Sequence, residues 1–118
     1  MNNKIRLDVP NFQIEFRDFI DSIKDRVIAK SAEYSRGNDA FSNFNAASAI
    51  KGEDPRVVLD WYLTKHLVSY HDMIGDIVSG IDPTDKLSAE KLGDIIAYMG
   101  ILHVINCAKN RQETELPF

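Results

Sequence analysis

A single cysteine, Cys107, is all the thiol chemistry the chain possesses. That excludes an internal disulfide, discounts a cysteine-based zinc site and fits a reducing compartment. Neither sign of charge is gathered into a run or tail: 14 Lys plus Arg are spread among 18 Asp plus Glu, for a formal charge of -4. Duplex nucleic acid is thereby an unsuitable partner, because phosphate neutralisation needs clustered basic side chains. Long apolar runs are missing too. The longest, from Ile95 to Ile105, is broken by Gly100 and His103 and falls well short of the roughly 18 apolar residues of a membrane span. The opening Met1-Asn2-Asn3-Lys4-Ile5-Arg6 lacks the apolar stretch of a secretory signal. These absences point to the cytoplasm and to no membrane partner.

Strand patterning is equally scarce. Ile5, Leu7 and Val9 alternate, but Pro10 stops the alternation, which leaves an extended arm over residues 1–10 as the expectation. There is no internal repeat and no low-complexity segment. What remains is helical spacing, on a chain whose 118 residues and 44% hydrophobic content suit one domain closed around one core.

Three breaker clusters divide that domain: Gly37-Asn38-Asp39, Gly52-Glu53-Asp54-Pro55 and Gly80-Ile81-Asp82-Pro83. Before the first, Phe12, Phe16, Phe19, Ile20, Ile23, Val27 and Tyr34 recur at helical steps opposite Glu15, Asp18, Asp21, Lys24 and Asp25, the signature of a long amphipathic helix. The stretch from about Ala40 to Ile50 is short and suits one helix or an ordered loop. Asp54-Pro55 is a capping carboxylate followed by proline at the first helical position. It opens a second long helix with Leu59, Tyr62, Leu63, Leu67, Tyr70, Ile74, Ile77 and Val78 on its apolar face. The last helix starts near Asp85 or Ser88 and carries Leu92, Ile95, Ile96, Met99, Leu102 and Ile105 on one side, with Tyr98 and Ile101 on the other. A helix apolar nearly all round belongs at the centre. The expected fold is therefore all-α, a bundle of four to five helices that buries its surplus apolar surface by forming a homo-oligomer.

Acidic residues on these apolar helices carry the chemical signal, because a carboxylate near a core needs a partner, a proton or a metal. Glu90 and Asp94 lie four apart on the last helix, and Asp72 and Asp76 four apart on the helix before it. If the two helices pack antiparallel across the loop at Gly80, the pairs can approach each other and supply hard oxygen ligands for Mg²⁺ or Mn²⁺. Each carboxylate also has an ordinary reading: Glu90 favoured by the helix dipole, Asp76 solvated near its loop. His66, His71 and His103 lack the i, i+4 pairing of a zinc helix and read as packing or surface residues. Cys107 reads as buried and inert. Trp61, opposite Leu59 and Leu63, reads as an interface residue or as core.

The segments Lys30 to Phe44 and Glu90-Lys91-Leu92-Gly93-Asp94-Ile95-Ile96-Ala97-Tyr98 resemble those of small bacteriophage and prophage proteins. The second resembles the later metal-binding helix of the MazG-like, all-α nucleoside triphosphate pyrophosphohydrolases. The resemblance implies a helical, oligomeric fold that holds Mg²⁺ between acidic pairs and cleaves nucleotides between the α and β phosphates. Asp94 would be a metal ligand and catalytic centre, with Glu90 beside it and Asp72 and Asp76 as the opposite pair. Lys65 would hold the leaving pyrophosphate and Glu33 would be the additional acid. Tyr34, Asn38 and Asn43 would contact base or sugar, each having an ordinary role as well, in the core, a left-handed turn and a helix cap. Where the family has a glutamate three residues before the aspartate, this chain has Lys91. That substitution favours the competing expectation, a non-catalytic phage-type protein that binds and inhibits a host protein or sequesters a nucleotide signal.

Overall fold

The computed structural model describes residues 4–34 and 37–115, with side chains at all of these except 33, 34 and 113–115. Among the described residues the regular elements are four α-helices: α1 (Val9–Tyr34), α2 (Ser42–Lys51), α3 (Pro55–Val78) and α4 (Asp85–Glu115). The fold class is all-α, as the spacing implied.

Helix starts follow local chemistry. Asp8 caps α1, its carboxylate accepting from the Asn11 backbone N–H at 2.9 Å and from Asn11 Nδ2 at 2.7 Å. The helix therefore begins at Val9, before Pro10 and not after it. Proline in a first turn gives up only an amide that has no intrahelical acceptor, so of the expected arm over residues 1–10 only 4–8 are described as non-helical. Asp54 caps α3 by accepting from the Arg56 N–H at 2.8 Å, with Pro55 at the first helical position. Thr84 opens α4, its Oγ1 accepting from the Leu87 N–H at 3.1 Å.

The ends are equally local. Gly52 closes α2 in the left-handed region (φ 68°), where a residue without Cβ carries no steric cost. Its N–H bonds to the Ser48 carbonyl at 2.8 Å. The Ser48 hydroxyl donates in turn to the Glu53 carbonyl. The short segment 40–50, open between helix and loop on sequence grounds, is thus helical over Ser42–Lys51.

α3 and α4 run antiparallel and in a defined register. Lys91 is level with Ser69, Asp94 with His66, Tyr98 with Tyr62, and Asn106 with Arg56. α2 packs on α3, and α1 packs on α4. The core lies mainly in the α3–α4 seam: Val58, Leu59, Leu63 and Met73 from α3, Ile95 and Ile105 from α4, joined by Ile23 from α1. α2 buries none of its side chains fully.

The molecule is elongated, 65 × 32 × 25 Å, and much apolar surface remains open. Averaged over a window rather than read as an unbroken run, part of α4 within Asp85–Gln112 is long and apolar enough to cross a membrane, with a mean hydropathy of 1.2. Only 11% of that stretch is buried inside the molecule.

Candidate functional site

The three long helices meet at Gly93 and Asp94. A Cβ built on Gly93 would stand 2.6 Å from Arg26 Nη2 and 3.5 Å from Ile23 Cγ1. Glycine is thus the residue that lets the α1 guanidinium lie against α4. Arg26 Nη2 is 3.5 Å from Asp94 Oδ1, and His66 Nδ1, reaching over from α3, is 3.5 Å from Asp94 Oδ2. All three side chains are about one-third exposed. One turn before Asp94, Lys91 Nζ donates to Ser69 Oγ at 2.7 Å and to the Ser69 carbonyl at 3.1 Å.

Aromatic rings lead away from this junction. His66 lies 5.0 Å from Tyr98, Tyr98 stacks on Tyr62 at 6.5 Å, and Tyr62 meets Phe44 of α2 edge to face at 6.1 Å. The ladder ties α2 to the α3–α4 seam with the offset and edge-on geometries that aromatic quadrupoles favour.

The other sequence candidates are dispersed. Antiparallel packing does bring α3 beside α4, but the register sets Asp94 against His66. Asp72 and Asp76, six and ten residues further along α3, stand about 9 Å and about 15 Å beyond that level at the helical rise. Glu90, level with Tyr70, comes nearest to Asp72. Glu90, Asp72, Asp76, Lys65 and Asn43 are all exposed. Asn38 is exposed and left-handed at φ 62°, the turn conformation that asparagine tolerates. Asn43 lies inside α2 and does not cap it. Phe41 holds the cap position, while Asp39 accepts from the Phe41 N–H and from Asn45 Nδ2. Glu33 and Tyr34 are in the last turn of α1, and their side chains lie outside the described residues.

Among the described residues, no group of three or more His, Cys, Asp or Glu side chains is placed to hold a metal ion. Mg²⁺ asks for about six oxygen ligands in octahedral geometry near 2.0–2.1 Å. Here both oxygens of Asp94 face nitrogen-bearing side chains, and the place where a second carboxylate would help is held by the Lys91 ammonium. Among the described side chains, the donor set as arranged does not fit the ion.

Arg26 and His66 were absent from the sequence-derived candidates, although one signal for Arg26 was legible. It falls between Ile23 and Val27 on the stripe that should face the core, where a guanidinium requires an acidic partner. His66 carried no comparable signal, because the inter-helix register selects it. Trp61 proves to be surface, 58% exposed, with Lys51 Nζ 5.6 Å above its ring. Cys107 is half-buried, its Sγ 3.6 Å from His103 Nε2, so the expectation of a fully buried thiol does not hold.

No protein-family model matches the chain, and no curated protein or solved structure matches it.

Proposed function

We propose that this chain is a non-catalytic helical interaction protein, of the phage type its segments resemble, which binds and inhibits a host protein and works as a homo-oligomer in the host cytoplasm. The observation carrying this reading is the company kept by Asp94. The carboxylate that would anchor a metal is answered by Arg26 and His66, and Lys91 is tied to Ser69 where the pyrophosphohydrolase pattern calls for a second acid. Such a carboxylate positions helices. It is not arranged to bind phosphate oxygens through an ion.

The surface that supports a protein partner is the one around Trp61 of α3, which Lys51 of α2 overlies. Trp61 is exposed alongside Ile50, Val57 and Val68, and exposed tryptophan is enriched among residues that dominate protein interfaces. A nucleotide signal as the sequestered ligand is less well supported, since the basic groups of the junction are already engaged.

A second reading, the Mg²⁺- or Mn²⁺-dependent nucleotide pyrophosphohydrolase, is favoured by one observation: Asp94 is partly sheltered where three helices converge. In that reading Asp94, Glu90, Asp72 and Asp76 bind the metal, Glu33 and Lys65 assist catalysis, and Tyr34, Asn38 and Asn43 contact the nucleotide. It requires Arg26 and His66 to leave Asp94.

The deciding experiment measures pyrophosphate release from a panel of ribo- and deoxyribonucleoside triphosphates with Mg²⁺ or Mn²⁺, alongside the melting temperature with each metal. We expect no release beyond that of Asp94→Asn and no rise in melting temperature at millimolar metal, since only a ligand bound to the native state stabilises it by mass action. Release that disappears in Asp94→Asn would replace our reading with the hydrolase.

A further inference from the structure

Among the described residues, the N-terminal half of α1 buries none of its side chains. The helix is 26 residues long, about 39 Å at 1.5 Å per residue, yet among its described side chains only Ile23 is buried. The stripe that seats Ile23 against Gly93 continues toward the N-terminus through Ile20, Phe16, Phe12 and Val9, which are 36%, 54%, 55% and 66% exposed. Phe12 and Phe16 stack on each other at 5.8 Å. Together with Gln13, Arg17 and Asp21, the Phe12, Phe16 and Ile20 side chains line a shallow surface groove.

Whole-molecule dimensions say how much is missing. The radius of gyration is 18.0 Å, against about 13 Å for a compact domain of this length. The accessible surface is 9280 Å², whereas a monomeric protein of 13.4 kDa exposes about 6,500 Å². The non-helical residues 4–7, with Ile5 99% exposed, account for part of the surplus of about 2,800 Å². A stable protein interface needs roughly 800 Å² per partner, which this surplus exceeds.

We infer that the N-terminal half of α1 is an isologous interface, on which a second copy of this chain lays its own α1 antiparallel across Phe16 and Ile20, with Phe12, stacked on Phe16, at its edge. The flanking charges favour a copy over a foreign partner. Arg17 and Asp21 border the groove one turn apart, so a two-fold axis near Asp18 sets Phe16 level with Ile20 of the second copy. The same axis puts Arg17 two residues, about 3 Å of helical rise, from the level of the second copy's Asp21, twice over, as an isologous contact requires. The inference rests on the oligomer proposed above and specifies its interface.

Light scattering after size exclusion, without detergent, tests it on the full chain. The native protein and Trp61→Asp are expected at twice 13.4 kDa. Phe12→Asp/Phe16→Asp is expected at the single-chain mass with its helical circular dichroism retained. A variant that leaves the stripe intact guards against misfolding: Arg17→Cys in a Cys107→Ser background is expected to cross-link to itself on mild oxidation, and Val68→Cys is not. A native monomer sinks both the oligomer and this interface. A native dimer that survives the double aspartate substitution and cross-links through residue 68 but not residue 17 sinks this interface alone. Loss of the native chain onto zwitterionic vesicles, in place of dimer formation, overturns it in favour of a lipid surface.

Discussion

Asp54 does two jobs at the start of α3. Its Oδ1 accepts from the Arg56 N–H and Nε, and its Oδ2 accepts from Arg56 Nη2 at 2.7 Å, while Arg56 Nη1 extends to Asn106 of α4 at 2.9 Å. The Arg56 hydrogen bonds hold the carboxyl at about 2, below its ordinary 3.8. A depressed folded-state value stabilises the fold above the ordinary value, and that stabilisation fades as pH falls from 3.8 toward 2. Asp54→Ala is expected to cost about 1 kcal/mol near neutral pH, the usual loss for an N-cap, seen as a lower melting temperature. The gap from native should narrow near pH 2. Asp8, lowered by its bonds from Asn11, should show the same sign. Gly93→Ala weighs two opposed effects. Alanine favours a helix interior by up to about 1 kcal/mol over glycine, while its Cβ pushes the Arg26 guanidinium off Asp94, a part-exposed pair worth about 0–1 kcal/mol. We expect urea denaturation to place Gly93→Ala within about 1 kcal/mol of native, and Gly93→Leu, whose bulk reaches Ile23, well below it.

At the scale of elements, α3 and α4 are held by a buried seam and indexed by polar ties. Leu59 and Val58 are 0% and 1% exposed, so Leu59→Ala is expected to lose about 2–5 kcal/mol in chemical denaturation. Trp61→Ala, two residues away but on the open side, should stay within about 1 kcal/mol of native. The helices themselves were legible in the sequence because their signals are local: the apolar period, the Asp54-Pro55 start, the glycine after Lys51. The candidate site was legible only in part. Asp94 was singled out by a carboxylate on an apolar helix, and it does lie where helices meet. Its neighbours were not readable, because an axial shift of a turn or two between α3 and α4 exchanges His66 for Asp72 opposite Asp94, and periodicity carries no information about that shift. Lys91 is tied to Ser69 in the register adopted here. Lys91→Met, which keeps the aliphatic stem and removes the ammonium, is expected to cost up to about 1.5–3 kcal/mol, the range for a hydrogen bond from a charged donor.

For the whole molecule, the decisive quantity is apolar surface left in water. α4 touches both α1 and α3 and still exposes Ile96, Met99 and Val104. A single chain has no further helix among the described residues to cover them, so helix count alone understated how open the bundle is. If the folded state is a dimer, its stability depends on protein concentration. The melting temperature of the native chain should therefore rise as the protein is concentrated, and that of Phe12→Asp/Phe16→Asp should not. Differential scanning calorimetry across about a hundredfold range of concentration distinguishes the two.

The seating of α1 on α4 also dictates an order of events during synthesis. α3 and α4 are joined by a short turn and can pair as soon as both exist, the kind of local contact that forms quickly. Ile23 and Arg26, by contrast, find Gly93 and Asp94 only after the ribosome has added the whole of α2 and α3. For that interval Ile23 is displayed to the crowded cell along with the phenylalanine stripe that stays exposed afterwards, which makes α1 the segment a chaperone should meet first and the segment where a stalled chain should begin to aggregate.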